Sequence, residues 1–200
     1  MPRLIEGPPL LPVAFEERRV LVRLGYRKRP ADVTPAVRDL VREETSRAHG
    51  LVRPRVAAAL LERAELPDLP VFRDAERAAL CVCTIGPELE EAASRLMAAG
   101  DLLRGLILDW LGSEAVAGVS RQADVWLAGE GRAAGLWPSK LFSPGIKGWD
   151  VSGQQFVFAS VPAATIGVSL SASCMMTPRK SFSFRINYYK ERTRTTRKGL

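Results

Sequence analysis

Five segments of the chain carry the signals of an α-helix. In three of them apolar residues recur every three or four positions with charged residues between them, which is typical of an amphipathic helix. The other two are recognised by their ends: one opens with a proline followed by glutamates, and the other has a polar cap and a closing proline. The predicted helices are 15–24, 34–50, 87–99, 101–128 and 152–161.

The remaining apolar segments are short and bounded by proline, glycine or serine, which favours strands. Residues 78–85, AALCVCTI, form a continuous apolar run and predict a central strand buried on both faces, with Cys81 and Cys83 on the same face. Residues 181–189 alternate apolar with polar side chains, so we expect a half-exposed antiparallel strand there. Weaker patterns predict strands at 52–61, 69–73 and 165–170.

The order of these elements indicates the fold class. Strands and helices do not alternate steadily along the chain, which favours an α+β fold over a doubly wound parallel sheet. Residues 1–30 form a proline-rich lead-in with one short helix, and residues 190–200 read KERTRTTRKGL, which is too polar to bury. We therefore expect one folded domain over residues 31–189 and a disordered basic tail after it.

Composition limits the cellular location and the classes of partner that we expect for this protein. At 200 residues and 46% hydrophobic content the chain can bury a substantial core, and its three cysteines give no disulfide framework. We expect a cytoplasmic protein, because the proline-broken start lacks the apolar core of a signal peptide and no run is long enough to cross a membrane. Five bases and one acid place +4 of the net charge of +7 in the tail, and the remaining +3 argues against nucleic acid as a partner.

Signatures of catalysis and of metal binding are missing from the sequence. The one histidine, His49, falls at the end of a predicted helix, and no GxSxG or HExxH motif is present to activate a nucleophile. There is no CxxC pair or histidine cluster either, so we expect no catalytic residue and no metal site. The glycine-, proline- and serine-rich segment 129–150 is the first choice for a binding region, because loops of that length usually have a function.

Glu114 is unusual on the longest predicted helix, because it falls on the apolar side. A carboxylate in that position requires a donor if it is buried. Alternatively, the helix face is only partly buried there, or Gly112 bends the helix and turns Glu114 towards water. The sequence leaves these interpretations open.

Several stretches, in order along the chain, match one protein family. They are TIGPELEE, GDLLRGLILDWLGSEAVA, the SPG segment with residues 149–155, and IGVSLSASCMMTPRKSFSF. Through them the chain resembles, over residues 18–188, the activation (reactivation) domain of cobalamin-dependent methionine synthase, and most of all its short stand-alone relatives. The resemblance implies a twisted antiparallel sheet with flanking helices. It also implies binding of S-adenosylmethionine and docking on a corrinoid-carrying partner, whose oxidised cobalamin is restored by an electron and the methyl group of S-adenosylmethionine.

The resemblance further implies a set of ligand-binding residues. Glu114 matches a glutamate that the family places near the ligand, and the SPG of residues 143–145 matches the family's ligand loop. A lysine just before this loop and a tryptophan just after it complete the set. The candidate ligand-binding residues are Glu114, Lys140, Ser143, Pro144, Gly145 and Trp149.

Three positions depart from the family pattern. Leu141 stands where the family has an arginine, Ile146 where it has a tyrosine after the glycine, and Ile186 where the synthase has a tyrosine in its last strand. A displaced lysine does not reproduce the two-pronged grip of arginine on a carboxylate. The cations that could replace the arginine are Lys140, Lys147 and Arg179.

Cys174 and Met175 are candidates for a position near the cobalt cofactor, because soft sulfur side chains suit ligation or electron transfer. The same SCMM segment is also explained as apolar filling between two strands. Both interpretations stay open.

The function has alternatives as well. The chain could be a methyltransferase component that acts with a separate corrinoid protein. It could also be a partner-binding protein that has lost its small-molecule site, which is consistent with Leu141 and Ile146.

Overall fold

A computed structural model describes residues 3–5, 12–26, 32–146 and 148–192, and within these ranges it shows five α-helices and seven β-strands. The helices are α1 (Glu17–Arg23), α2 (Pro35–Leu51), α3 (Glu88–Ala98), α4 (Leu102–Ala133) and α5 (Gly153–Ser160). The strands are β1 (Arg3–Ile5), β2 (Arg55–Glu62), β3 (Arg77–Thr84), β4 (Trp137–Pro138), β5 (Ser169–Leu170), β6 (Met176–Thr177) and β7 (Ser181–Tyr189). Lys147 and most of the predicted tail, residues 193–200, lie outside the described residues.

Five of these strands form one antiparallel sheet in the order β1-β2-β3-β7-β4, and β5 pairs with β6 in a separate two-stranded sheet. The strand β3 is paired along its whole length with β2 on one side and β7 on the other. Its continuous apolar run suits this place, because both of its faces are buried. The predicted α+β class, an antiparallel sheet with flanking helices, is confirmed.

The two faces of the large sheet are covered by different elements. Helices α3 and α4 pack on the face that carries Cys81, Cys83 and Phe184. The opposite face carries Leu80 and is covered by α5 and by the segments on either side of it. The two cysteines therefore share one buried face, as the period of the strand predicted.

Burial makes the two cysteines of β3 poor nucleophiles. Desolvation raises the pKa of Cys83 to about 12 and the pKa of Cys81 well above its ordinary value of 9.0. Because the thiolate is the reactive form, we expect both thiols to resist iodoacetamide at about pH 8 in the folded protein and to react once guanidinium unfolds it. Peptide mapping by mass spectrometry measures this, and labelling of the folded protein at the unfolded rate would contradict it.

The strand β7 differs from its prediction. It lies between β3 and β4 and is buried on both faces, whereas its alternating pattern predicted a half-exposed strand. The polar residues Ser183, Arg185 and Asn187 are only 3%, 8% and 0% exposed. They are covered because a 3-10 turn at Pro70–Phe72 and the loop after β4 pack over that face.

Two other predicted strands are wholly or partly 3-10 turns. The segment 69–73 contains the turn Pro70–Phe72, because a proline has no N–H to give to a ladder and suits the first position of a turn. In the segment 165–170 only β5 is a strand, and it follows the turn Ala163–Ile166. The prediction at 52–61 is confirmed as β2.

Helix α4 extends beyond its predicted end near Ala128 and stops at Ala133. The sequence GEGRA, expected in a loop, therefore belongs to the helix. Its glycines weaken helix propensity, but this end of α4 packs on β7, and the Tyr188 hydroxyl donates a hydrogen bond to the Leu127 carbonyl at 2.8 Å. Tertiary contact thus outweighs the local preference.

Candidate ligand-binding groove

The loop that follows β4 is fastened to the edge of β7. The backbone N–H of Ser139 donates to the Asn187 carbonyl at 2.8 Å. Phe142 and Arg185 exchange two backbone hydrogen bonds, of 3.1 and 2.9 Å, as directly opposed residues of antiparallel strands do. Residues 139–142 therefore have a defined position, although they follow a strand of only two residues.

A groove of about 670 Å³ lies where this loop meets β7 and the turn at Pro70–Phe72. Its volume is in the range of small-molecule sites. Three of its side chains are basic and one is acidic, so the groove favours an anionic group. The lining residues are Pro70, Val71, Arg73, Asp74, Ser139, Lys140, Leu141, Phe142, Arg185 and Tyr189.

Arg185 is the most buried charge of this groove. Its side chain donates one hydrogen bond, from Nη1 to Ser139 Oγ at 3.2 Å, and its guanidinium carbon lies 5.1 Å from the centre of the Phe142 ring. In the described part of the chain no carboxylate pairs with it, and its Nε has no hydrogen-bond partner. Burial lowers the pKa of Arg185 to about 10, so it is still a cation at neutral pH.

Aromatic rings stack behind the groove. The rings of Phe142 and Trp149 are nearly parallel, at 8° and 6.4 Å between centroids, and Phe72 packs edge-on against Trp149 at 5.7 Å. Trp149 is 4% exposed. Its contribution is therefore to hold Phe142, which in turn lies against the guanidinium of Arg185.

Of the predicted loop residues only Lys140 lines this groove, whereas Gly145 and Trp149 line a second pocket formed by the same loop. Lys140 is exposed. Ser143 is buried, and its Oγ has no hydrogen-bond partner in the described structure. The N–H of Gly145 donates to the Trp149 carbonyl at 2.9 Å, and the φ of 86° at this glycine suits a residue without a Cβ. Pro144 between them is buried. The structure brings these residues together with Trp149.

Glu114 lies elsewhere. Its carboxylate is paired with Arg19 at 2.8 Å and with Arg23 at 3.4 Å, both from α1, and its side chain is 14% exposed. Glu114 is thus partly buried and has found its donors, so the helix face is only partly buried there and the carboxylate is paired as well. It is not among the residues that line the groove.

Comparison with known proteins identifies the fold. No protein-family model and no curated protein matches the chain. Among solved structures, the MetH reactivation domain bound to AdoHcy (S-adenosylhomocysteine) is similar to this chain, with a TM-score of 0.59 and 13% sequence identity. The match covers 85% of this chain and 71% of the MetH chain. The chain has the reactivation-domain fold. This agrees with the resemblance that the sequence motifs indicated.

Within the reactivation-domain fold, Cys174 and Met175 occupy the turn between β5 and β6. Cys174 is 6% exposed and has a left-handed φ of 61°, whereas Met175 is 61% exposed. The N–H of Cys174 donates a hydrogen bond of 2.9 Å to the Ser171 carbonyl, and this bond closes the turn. Arg179, offered as a replacement cation, is exposed and does not line the groove.

Of the residues that line the groove, only Lys140 and Leu141 were singled out from the sequence, and those that sequence reasoning missed include Asp74, Ser139 and Arg185. Arg185 belongs to the polar half of an alternating strand, which normally faces water. Only the cover on that face of β7 makes it a buried charge. The sequence held one signal for Arg185, namely a polar residue in the strand predicted at 181–189. That signal becomes informative only once the strand order places Arg185 opposite Phe142, the residue before the SPG loop.

The described ranges show neither a cluster of metal ligands nor a membrane-spanning helix. No group of three or more His, Cys, Asp or Glu side chains in them could hold a metal ion. None of the helices described has both the length and the apolar character needed to span a bilayer.

Proposed function

We propose that this chain is an S-adenosylmethionine-binding activation module that serves a cobalamin-dependent methionine synthase or another corrinoid methyltransferase. The observation that carries the proposal is the coincidence of two independent findings. The fold is that of a reactivation domain whose solved structure holds AdoHcy, and the groove lies beside the loop to which the family motif assigns the ligand.

The chemistry of the groove supports such a ligand. S-adenosylmethionine carries a carboxylate, an ammonium and a sulfonium, so it needs both cationic and anionic partners. The groove offers Arg185 and Lys140 for the carboxylate and Asp74 for the ammonium. The proposed ligand-contacting set also includes the backbone of Ser143 and Gly145.

In this proposal cobalamin is carried by the partner. The oxidised cob(II) form of that corrinoid would take one electron from a separate reductant and the methyl group from S-adenosylmethionine, leaving AdoHcy. The task of this chain is to bind and orient the methyl donor, so we expect no turnover by the isolated protein. The proposed setting is the cytoplasm.

The first test is a calorimetric titration of the protein with S-adenosylmethionine and with AdoHcy. We expect saturable binding of both, and the same affinity in a variant truncated at Lys190, because the groove lies outside the basic tail. No heat of binding with either compound would contradict the ligand assignment.

Glu114→Ala separates two roles of this residue. Since its carboxylate joins α4 to α1 through Arg19 and Arg23, we expect the variant to keep binding and to show a lower midpoint of thermal unfolding. The matched control is Asp39→Ala, which removes an exposed pair with Arg42 on α2 and should change neither quantity. Binding lost in Glu114→Ala at an unchanged midpoint would instead assign Glu114 to the ligand.

Leu141 favours a second candidate function. An apolar residue lies in the groove wall where the family has an arginine, as in a partner-binding protein that has lost its small-molecule site. Under this alternative a corrinoid protein would bind with no requirement for S-adenosylmethionine.

The other alternative, a methyltransferase component, is distinguished by turnover when the chain is mixed with a corrinoid protein and a methyl acceptor.

A further inference from the structure

Arg185 has an unusual environment for an arginine. It is 8% exposed, yet its described polar contact is a single neutral hydroxyl, that of Ser139. A buried charge without an opposite charge is costly, and proteins normally pair it or use it. The pairing partner is not supplied by the described part of the chain.

Ser139 acts on Arg185 as a support. Its hydroxyl accepts from Arg185 Nη1 at 3.2 Å and from the Asn187 N–H at 3.0 Å, and it donates to the Lys140 carbonyl at 2.8 Å. One donor and two acceptor positions are all that a hydroxyl has, so this group is saturated. Together with the ring of Phe142 at 5.1 Å, it fixes the guanidinium at the groove.

The position of Arg185 also bears on the arginine that the family has in this loop. Leu141 fills the place where the resemblance expects that residue, and Phe142, the next residue, is paired through its backbone with Arg185. A guanidinium therefore reaches this loop from the neighbouring strand. Lys140 is exposed, and its ammonium is a point charge without the planar fork of arginine.

We propose that Arg185 is the carboxylate-binding residue of the groove and takes the carboxylate of the amino-acid end of an adenosyl ligand. The inference rests on the proposed function for the identity of the ligand, and on the geometry of Arg185 for the carboxylate. Asp74 lines the same groove and suits the ammonium of that amino-acid end. The ligand class is thus an adenosyl compound with a free amino-acid group.

The test compares two ligands that differ only at this end. AdoHcy has the amino-acid group, whereas 5′-methylthioadenosine keeps the adenosine and the thioether without it. A charged hydrogen-bonded pair corresponds to roughly a 10- to 100-fold change in affinity, so we expect the wild type to prefer AdoHcy by about that factor. Arg185→Gln should lose most of the preference by weakening AdoHcy alone, with the share that Asp74 contributes through the ammonium kept, and Arg185→Lys should retain more of it.

Thermal unfolding distinguishes recognition from a merely structural role. Because Arg185→Gln removes an uncompensated buried charge, we expect its midpoint to equal or exceed that of the wild type. A lower midpoint with the AdoHcy preference intact would overturn the inference. If Arg185→Gln does not fold, Arg185→Lys answers the same question, since full retention of the preference by a lysine would also overturn it.

If no adenosyl compound binds, the proposed function is wrong. The carboxylate site at Arg185 is then tested separately. Sodium acetate is then compared with sodium chloride at equal ionic strength. A midpoint raised by acetate in the wild type and unchanged in Arg185→Gln would keep Arg185 as a carboxylate site. An equal response of the two proteins would reject it.

Discussion

We expect Phe72→Ala to lower the free energy of unfolding by about 3–5 kcal/mol. The Phe72 ring is 1% exposed and packs edge-on against Trp149 and Phe156, with centroids 5.7 and 5.8 Å apart. Alanine leaves a cavity behind the groove that rigid neighbouring rings fill only in part. Urea denaturation followed by circular dichroism measures the loss.

Leu69→Ala is the matched control for this substitution. Leu69 immediately precedes the same 3-10 turn, but it is 41% exposed, so its loss should change stability by no more than about 0.5 kcal/mol. Equal losses in the two variants would mean that the turn at Pro70–Phe72 is not anchored in the core by its aromatic ring.

Gly131→Ala is expected to destabilise the protein by about 2 kcal/mol, although alanine is the better helix former. A methyl group at Gly131 would collide with the ring of Tyr188, which is 1% exposed and held by its hydrogen bond to the Leu127 carbonyl. Helix α4 would have to move away from β7. In a domain of this size the loss corresponds to a fall of roughly 4–8 °C in the midpoint of thermal unfolding.

Gly129→Ala on the same helix should have the opposite sign. Nothing lies within 4 Å of a Cβ built at Gly129, so the gain in helix propensity, about 1 kcal/mol, is not opposed by a collision. Two glycine substitutions separated by one residue thus test whether the contact with Tyr188 sets the position of α4. A rise in stability in both variants would contradict it.

Local signals account for the parts of the fold that the sequence predicted well. Thr34 and Asp101 begin α2 and α4 because their side chains accept the N–H groups of Val37 and Arg104, each at 3.3 Å. The continuous apolar run of β3 similarly encodes its own burial. Each of these signals lies within a few residues of the structure that it determines.

Non-local contacts account for the parts that the sequence did not predict. The alternation in β7 identifies its two faces correctly, but it does not reveal that both are covered, which depends on segments far away in the chain. Likewise the SPG loop was recognised by composition and motif, while Arg185 became a candidate only when the strand order placed it beside Phe142. The need of Glu114 for a donor was predictable, but the identity of Arg19 was not.

The position of β7 in the sheet also bears on the order in which the protein can be assembled during translation. This strand comes after all the others in the described chain, yet it inserts between β3 and β4. Until it leaves the ribosome, β3 has one unpaired edge and the loop at 139–142 has nothing to pair with. The groove therefore cannot form early in translation, because it is completed only when β7 pairs with β3 and with the loop at 139–142.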